Sequence, residues 1–329
     1  MRNSIKNLRM LYACLILLPL IAAQLWQGRR FVRQLTLHTA WLWAIPPCLA
    51  CATAIGLQFC IAQRLPAVGS AVAELTTILC IAPFIAVLGA RRPGSKAWPW
   101  FVILPMVVVL TWPTASQLLN NDLSQPLSPS IPTACAVLLV TIMGTGNYFG
   151  SGHTSTFFLW GTALAIGMLH HFGIAVSTNL QLLALCLMSL ISLRLALLRI
   201  RQLERSPADD PRSRLNRTWL MFRDLYGIVW AKRVMDRINQ FAQREHWPFL
   251  MSLDGIVVHN DVPAPPPASM TRATEVFAWI LRRFADPDWI TTHTGITLAE
   301  TLSPEPEPTA GPTTTHSQSA PSPVHPDSE

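Results

Sequence analysis

The stretch LRLALLRIRQLER, Leu193 to Arg205, runs an apolar segment into four arginines, Arg194, Arg199, Arg201 and Arg205, and divides the chain in two. Residues 1–198 hold 11 Lys or Arg and two acids, Glu74 and Asp122; residues 199–329 hold 14 Lys or Arg and 16 acids. Of the 329 residues 50% are hydrophobic and 13% charged, about half the charge of a soluble domain. This composition belongs to a membrane protein. The net charge of +7 comes from cations flanking apolar spans, not from a basic patch with interleaved aromatics. A bilayer is therefore the expected partner, and nucleic acid is not.

Working back from the arginines, seven apolar stretches can be marked, at 10–26, 38–62, 70–90, 98–118, 131–149, 155–172 and 175–198. A crossing takes about 20 residues, and backbone groups in lipid must pair within their own segment, so helices are expected. The fold class is an all-α polytopic membrane bundle of about seven spans. A six-span alternative lays the first stretch along the inner face, since it follows Arg2, Lys6 and Arg9 and its Ile21-Ala22-Ala23 resembles a signal-peptidase site. Both versions put the Arg-rich boundary and the C-terminal part on the cytoplasmic side of a bacterial-type cytoplasmic membrane with Arg29, Arg30, Arg33, Arg91, Arg92 and Lys96, leaving Arg2, Lys6, Arg9 and Arg64 outside with seven spans and Arg64 alone with six. Trp41, Trp43, Trp98 and Trp100 mark span starts, while Pro46-Pro47, Pro83 and Pro105 predict kinks.

Few polar residues lie in these spans. Glu74 is the sole acid within any of them. It is either a proton or cation site, with Gln58, Asn147, Asn179 or Gln181 as partners, or a headgroup-level carboxylate beside Arg64. Cys48 and Cys51 form a CxxC one turn apart, which supplies a nucleophilic and a resolving thiol if they are redox-active; the other five cysteines read as single, scattered hydrophobes. His170-His171 and His153 fall at opposite ends of the sixth stretch and read as interfacial, because adjacent helical positions point about 100° apart. Gly144 to Gly152, GTGNYFGSG, reads as a tight connection with no phosphate-loop pattern.

The second part begins with a helix signal, Asp210-Pro211, and a stop at Trp247-Pro248. These predict one helix of roughly 50 Å. Its stripe, Leu215, Trp219, Phe222, Tyr226 and Val229, continues after a one-residue slip as Trp230, Val234, Ile238 and Phe241. A stripe this aromatic has to be covered, by the domain itself, by lipid or by another protein; Trp219, Phe222, Tyr226 and Trp230 are the expected partner-docking face. Asp254-Gly255 between two apolar runs predicts a β-hairpin packed on that helix, VPAPPPA from Val262 predicts a stiff linker, and a second amphipathic helix is expected over Arg272–Ala285.

The domains expected are a transmembrane bundle at 1–198, a cytoplasmic amphipathic-helix unit at 199–301 and a disordered Pro/Ser/Thr-rich tail at 302–329. No HExxH, GxSxG, zinc-ligand set, Walker motif or paired-acid cluster occurs in the C-terminal part. The first expectation is therefore a non-enzymatic integral subunit or anchor, without cofactor or metal, whose cytoplasmic unit binds a membrane or cytoplasmic protein. A small-solute or ion permease using Glu74 is the alternative, and a thiol oxidoreductase using Cys48 and Cys51 the third.

Overall fold

The computed structural model describes residues 2–60, 65–90, 98–120, 123, 127–128, 130–206, 210–258 and 266–297. Arg64, Asp122, Arg91, Arg92 and Lys96, most of the expected linker and the expected tail lie outside these residues. The chain is mostly helical, with one small two-stranded sheet. The apolar half forms α1 (Arg2–Val32), α2 (His38–Leu42), α3 (Ile45–Cys60), α4 (Pro66–Leu79), α5 (Ala82–Leu88), α6 (Trp98–Asn120), α7 (Ile131–Gly146), α8 (Thr154–Met168) and α9 (Thr178–Arg205). Prolines divide two of the expected stretches: Pro46 and Pro47 open α3, and Pro83 opens α5, because a proline lacks the N–H needed deeper in a helix.

Among the described residues five helical segments are long and apolar enough to cross a membrane: Leu8–Val32, His38–Cys60, Pro66–Leu88, Pro99–Asn120 and Thr178–Arg205. The stretches expected at 131–149 and 155–172 yield helices of 16 and 15 residues, shorter than a straight crossing takes. The segment directions can be read from their ends. Leu11 and Cys14 share a core with Leu182 and Cys186, and Gln27 meets Arg201 at 2.9 Å, so α1 and α9 run parallel. The first stretch thus lies alongside α9 over its length, with much of its surface exposed. Small residues let the helices close up: a side chain at Gly144 would run into Phe84, and one at Gly167 into Thr77.

The C-terminal unit is built from α10 (Pro211–Tyr226), α11 (Ile228–Arg244), β1 (Phe249–Ser252), β2 (Gly255–Val258), α12 (Pro267–Leu281) and α13 (Pro287–Thr294). Asp210 caps α10 as expected, accepting from the Ser213 N–H at 3.1 Å. The single long helix is not formed. Gly227, at φ 79° and ψ 174°, separates α10 from α11, a conformation open essentially to glycine alone. The slip in the stripe falls at this break, where α11 starts a new phase. The antiparallel hairpin turns at Leu253-Asp254, with Gly255 as the first residue of β2. It lies on both helices: Trp219 Nε1 donates to the Ser252 carbonyl at 2.9 Å, and the Asn239 amide brackets Met251 with two bonds of 2.8 Å.

This unit shares a core with one end of the bundle. Leu35 and Leu37, between α1 and α2, and Ala90, after α5, are buried among Trp219, Phe222, Tyr226, Phe277 and Phe284. Backbone bonds stitch the seam: Thr36 N–H donates to Phe284 O at 2.9 Å, and Asp286 N–H to Gln34 O at 2.8 Å.

Candidate functional site

At the bundle end remote from the C-terminal unit, four elements meet around Glu74. The carboxyl lies two turns into α4, with 4% of the residue exposed; Arg64, the neighbour expected in the headgroup reading, lies outside the described residues. After α8 the chain tightens into a short 3₁₀ turn, Leu169–Phe172, which stacks the His170 and His171 rings 3.8 Å apart. His171, 3% exposed, places Nε2 3.5 Å from Glu74 Oε1. The expected interfacial site does not hold for it, because the tight turn folds the ring inward. Thr114 of α6 is buried as well, and the Ser130 N–H at the start of α7 donates to His171 Nδ1 at 2.9 Å.

That last bond decides the chemistry. Nδ1 spends its lone pair on a backbone N–H, so the proton of the neutral ring sits on Nε2, facing Glu74. Glu74, His170 and His171 offer donor atoms within 4.8 Å of one another, but a protonated Nε2 has no lone pair for an ion. Metal-ligating histidines usually donate from their second nitrogen, whereas this one accepts. The geometry gives a neutral His171 whose Nε2–H faces the Glu74 carboxyl, which leaves the carboxyl as the member of the pair that can gain or lose a proton. Of the anticipated partners, Asn147 is used in the C-terminal seam, and Asn179 Oδ1 and Gln181 Nε2 are buried without a hydrogen-bond partner among the described residues.

The cysteines regroup. Cys51 approaches Cys186 of α9, Sγ to Sγ 3.6 Å, and Cys14 of α1 is buried in the same cluster. Cys48, Cys51, Cys80 and Cys186 line one apolar cavity of about 210 Å3 with Trp41, Phe157 and Trp160. Sequence spacing singled out Cys48 with Cys51; the close pair is Cys51 with Cys186, since helices α3 and α9 present them to the same interface. The supposedly scattered thiols converge through tertiary packing. No sequence signal marks that.

The Gly144–Gly152 connection is the seat of the C-terminal unit. Asn147 clamps the α10–α11 break: its carbonyl accepts from Ile228 N–H at 2.7 Å, its Nδ2 donates to Tyr226 O at 3.2 Å and its Oδ1 accepts from Val229 N–H at 3.0 Å. Tyr148 Oη donates to Leu225 O at 3.2 Å. Beside it Asp224, 1% exposed, accepts from Arg223 at 2.8 and 2.9 Å, from Arg199 Nε at 3.2 Å and from the Gly152 N–H at 2.9 Å. Four donors on one buried carboxylate make the ion cluster self-satisfying. His153 is buried next to it, and burial pushes its pKa down to about 4, against an opposing pull from Asp224.

Trp219, Phe222, Tyr226 and Trp230, the expected docking face, are 0–5% exposed. Phe277 and Phe284 of the α12 region stack edge-on against them, and Tyr226 Oη donates to Phe284 O at 2.6 Å. Their aromatic surface is consumed within the chain, because the 33–37 connection and α12 close over it. Compared with known protein families, with curated proteins and with solved structures, the chain matches none.

Proposed function

We propose that the chain is an integral membrane protein of seven crossings that moves a small solute or ion together with a proton, with Glu74 and His171 as the proton site. The observation that carries this reading is the contact of 3.5 Å between two side chains that are 4% and 3% exposed. A carboxyl at that depth is costly and marks function by default, and the neutral imidazole turns an N–H toward its ionised form. The crossing itself is supported by a belt of exposed large apolar side chains, including Ile16, Phe101, Val109, Ile142 and Phe158. The two short helices fit the same picture, as irregular backbone at membrane depth is tolerated where protein covers it. Arg29, Arg30, Arg33, Arg201 and Arg205 cluster at the end carrying the C-terminal unit, which supports a cytoplasmic side there.

The test uses proteoliposomes with an entrapped pH dye, subjected to an acid pulse with a mixture of metabolite-sized solutes added outside. Wild-type protein takes up protons when solute is present. Glu74→Gln inserts equally well but takes up protons no faster than protein-free vesicles. Equal rates for the variant and wild type would sink the proposal.

A further inference from the structure

On the face of the C-terminal unit that abuts the bundle, α11 and the end of α12 border a hollow of about 490 Å3 lined by Arg233, Arg237, Arg283, Trp230, Trp279 and Phe284, with no acidic residue in its lining among the described residues. We infer that this hollow seats the phosphodiester headgroup of an anionic phospholipid from the inner leaflet, an inference that rests on the membrane-spanning reading above.

Three observations converge. The first is position. Trp230 Nε1 donates to the Val87 carbonyl at 3.3 Å, in the last turn of α5, and Phe284 O accepts from Thr36 N–H just after α1, so the hollow lies level with the ends of two spans. The second is charge. Three arginines line one opening, and Arg presents a planar fork that matches two phosphate oxygens. The third is the floor. Trp230, Val234, Ile280 and Phe284 are all under 8% exposed, and the Arg233 guanidinium sits 4.9 Å over the Trp230 ring. An aromatic base with a cationic rim suits the boundary between acyl chain and headgroup. Arg237 also bonds Gln240 and lies over Phe241, so Arg233 and Arg283 carry the inference.

Native mass spectrometry of the full chain in mild detergent, titrated with dioleoylphosphatidylglycerol, dioleoylphosphatidylcholine or inorganic phosphate, tests it. Wild type is expected to retain one phosphatidylglycerol in preference to phosphatidylcholine. The Arg233→Gln/Arg283→Gln double variant should bind it roughly thirtyfold more weakly. Arg282→Gln, a neighbour outside the lining, should change nothing. A third variant, Arg233→Lys/Arg283→Lys, keeps the charge and guards against loss of fold; it should fall between wild type and the glutamine pair. Equal retention in wild type and both double variants overturns the site, as does equal retention of the two lipids. Full displacement by inorganic phosphate overturns the lipid assignment in favour of a soluble anion. Resistance of the chain to alkaline carbonate extraction, read separately, tests the membrane reading itself.

Discussion

Gly227→Ala is the sharpest probe of how the C-terminal unit is held. At φ 79° and ψ 174° an alanine is strained by about 1–3 kcal/mol. Its Cβ would also lie 2.5 Å from both Cγ and the backbone oxygen of Asn147. The side chain can swing away, but the backbone oxygen cannot, because it is held at 2.7 Å by Ile228 N–H. Relief therefore breaks some or all of the three bonds Asn147 makes to the break, each contributing about 0.5–1.5 kcal/mol. Together the strain and the lost bonds amount to roughly 3–7 kcal/mol. For a unit of this size that lowers the melting midpoint by more than about 10 °C. Tryptophan emission during a thermal ramp in mild detergent reads it directly, since Trp219 and Trp230 sit in the shared core. Asn147→Ala removes the side-chain bonds without the backbone strain and should cost less. A melting midpoint for Gly227→Ala within a degree or two of wild type would refute the assignment of this junction.

Two further outcomes follow from the same contacts. Under a mild thiol oxidant such as diamide, tryptic mapping should recover a Cys51–Cys186 disulfide before any Cys48–Cys51 product, and Cys186→Ser should remove it; a dominant Cys48–Cys51 bridge would contradict the packing of α3 on α9. His153, with a folded pKa of about 4 against 6.5, is neutral in the folded chain, and the unfolded chain takes up the proton first. Its contribution is thus complete above pH 6.5, declines as pH falls to about 4 and is flat below, a total of about 3 kcal/mol. His153→Gln should flatten that part of the melting-point profile, compared at fixed detergent with wild type so that Asp224, Arg199 and Arg223 contribute equally to both; an unchanged slope would count against a buried neutral imidazole.

What could be read from residues alone was local. The Arg-rich boundary, the apolar stretches, the proline breaks, the Asp210 cap and the hairpin around Asp254 all depend on neighbours a few positions apart, and sequence spacing records those. Even the slip between Val229 and Trp230 was visible, though its cause was not: a period shift is equally compatible with a continuous twisted stripe, and only the backbone of Gly227 shows a break. Glu74 stood out as a lone acid among apolar residues, yet its partner is His171, brought over by the 3₁₀ turn after α8 and by Ser130 before α7. Cys51 meets Cys186 because α1, α3 and α9 share one interface. The Gly144–Gly152 run looked like a mere connection and is instead the clamp for the C-terminal unit. In each case the deciding contact joins segments far apart in the chain. Periodicity and capping report which face of an element is apolar, but which face meets which is settled by packing the whole set of helices against one another, and that is where Glu74 meets His171, Cys51 meets Cys186 and the aromatic stripe is buried.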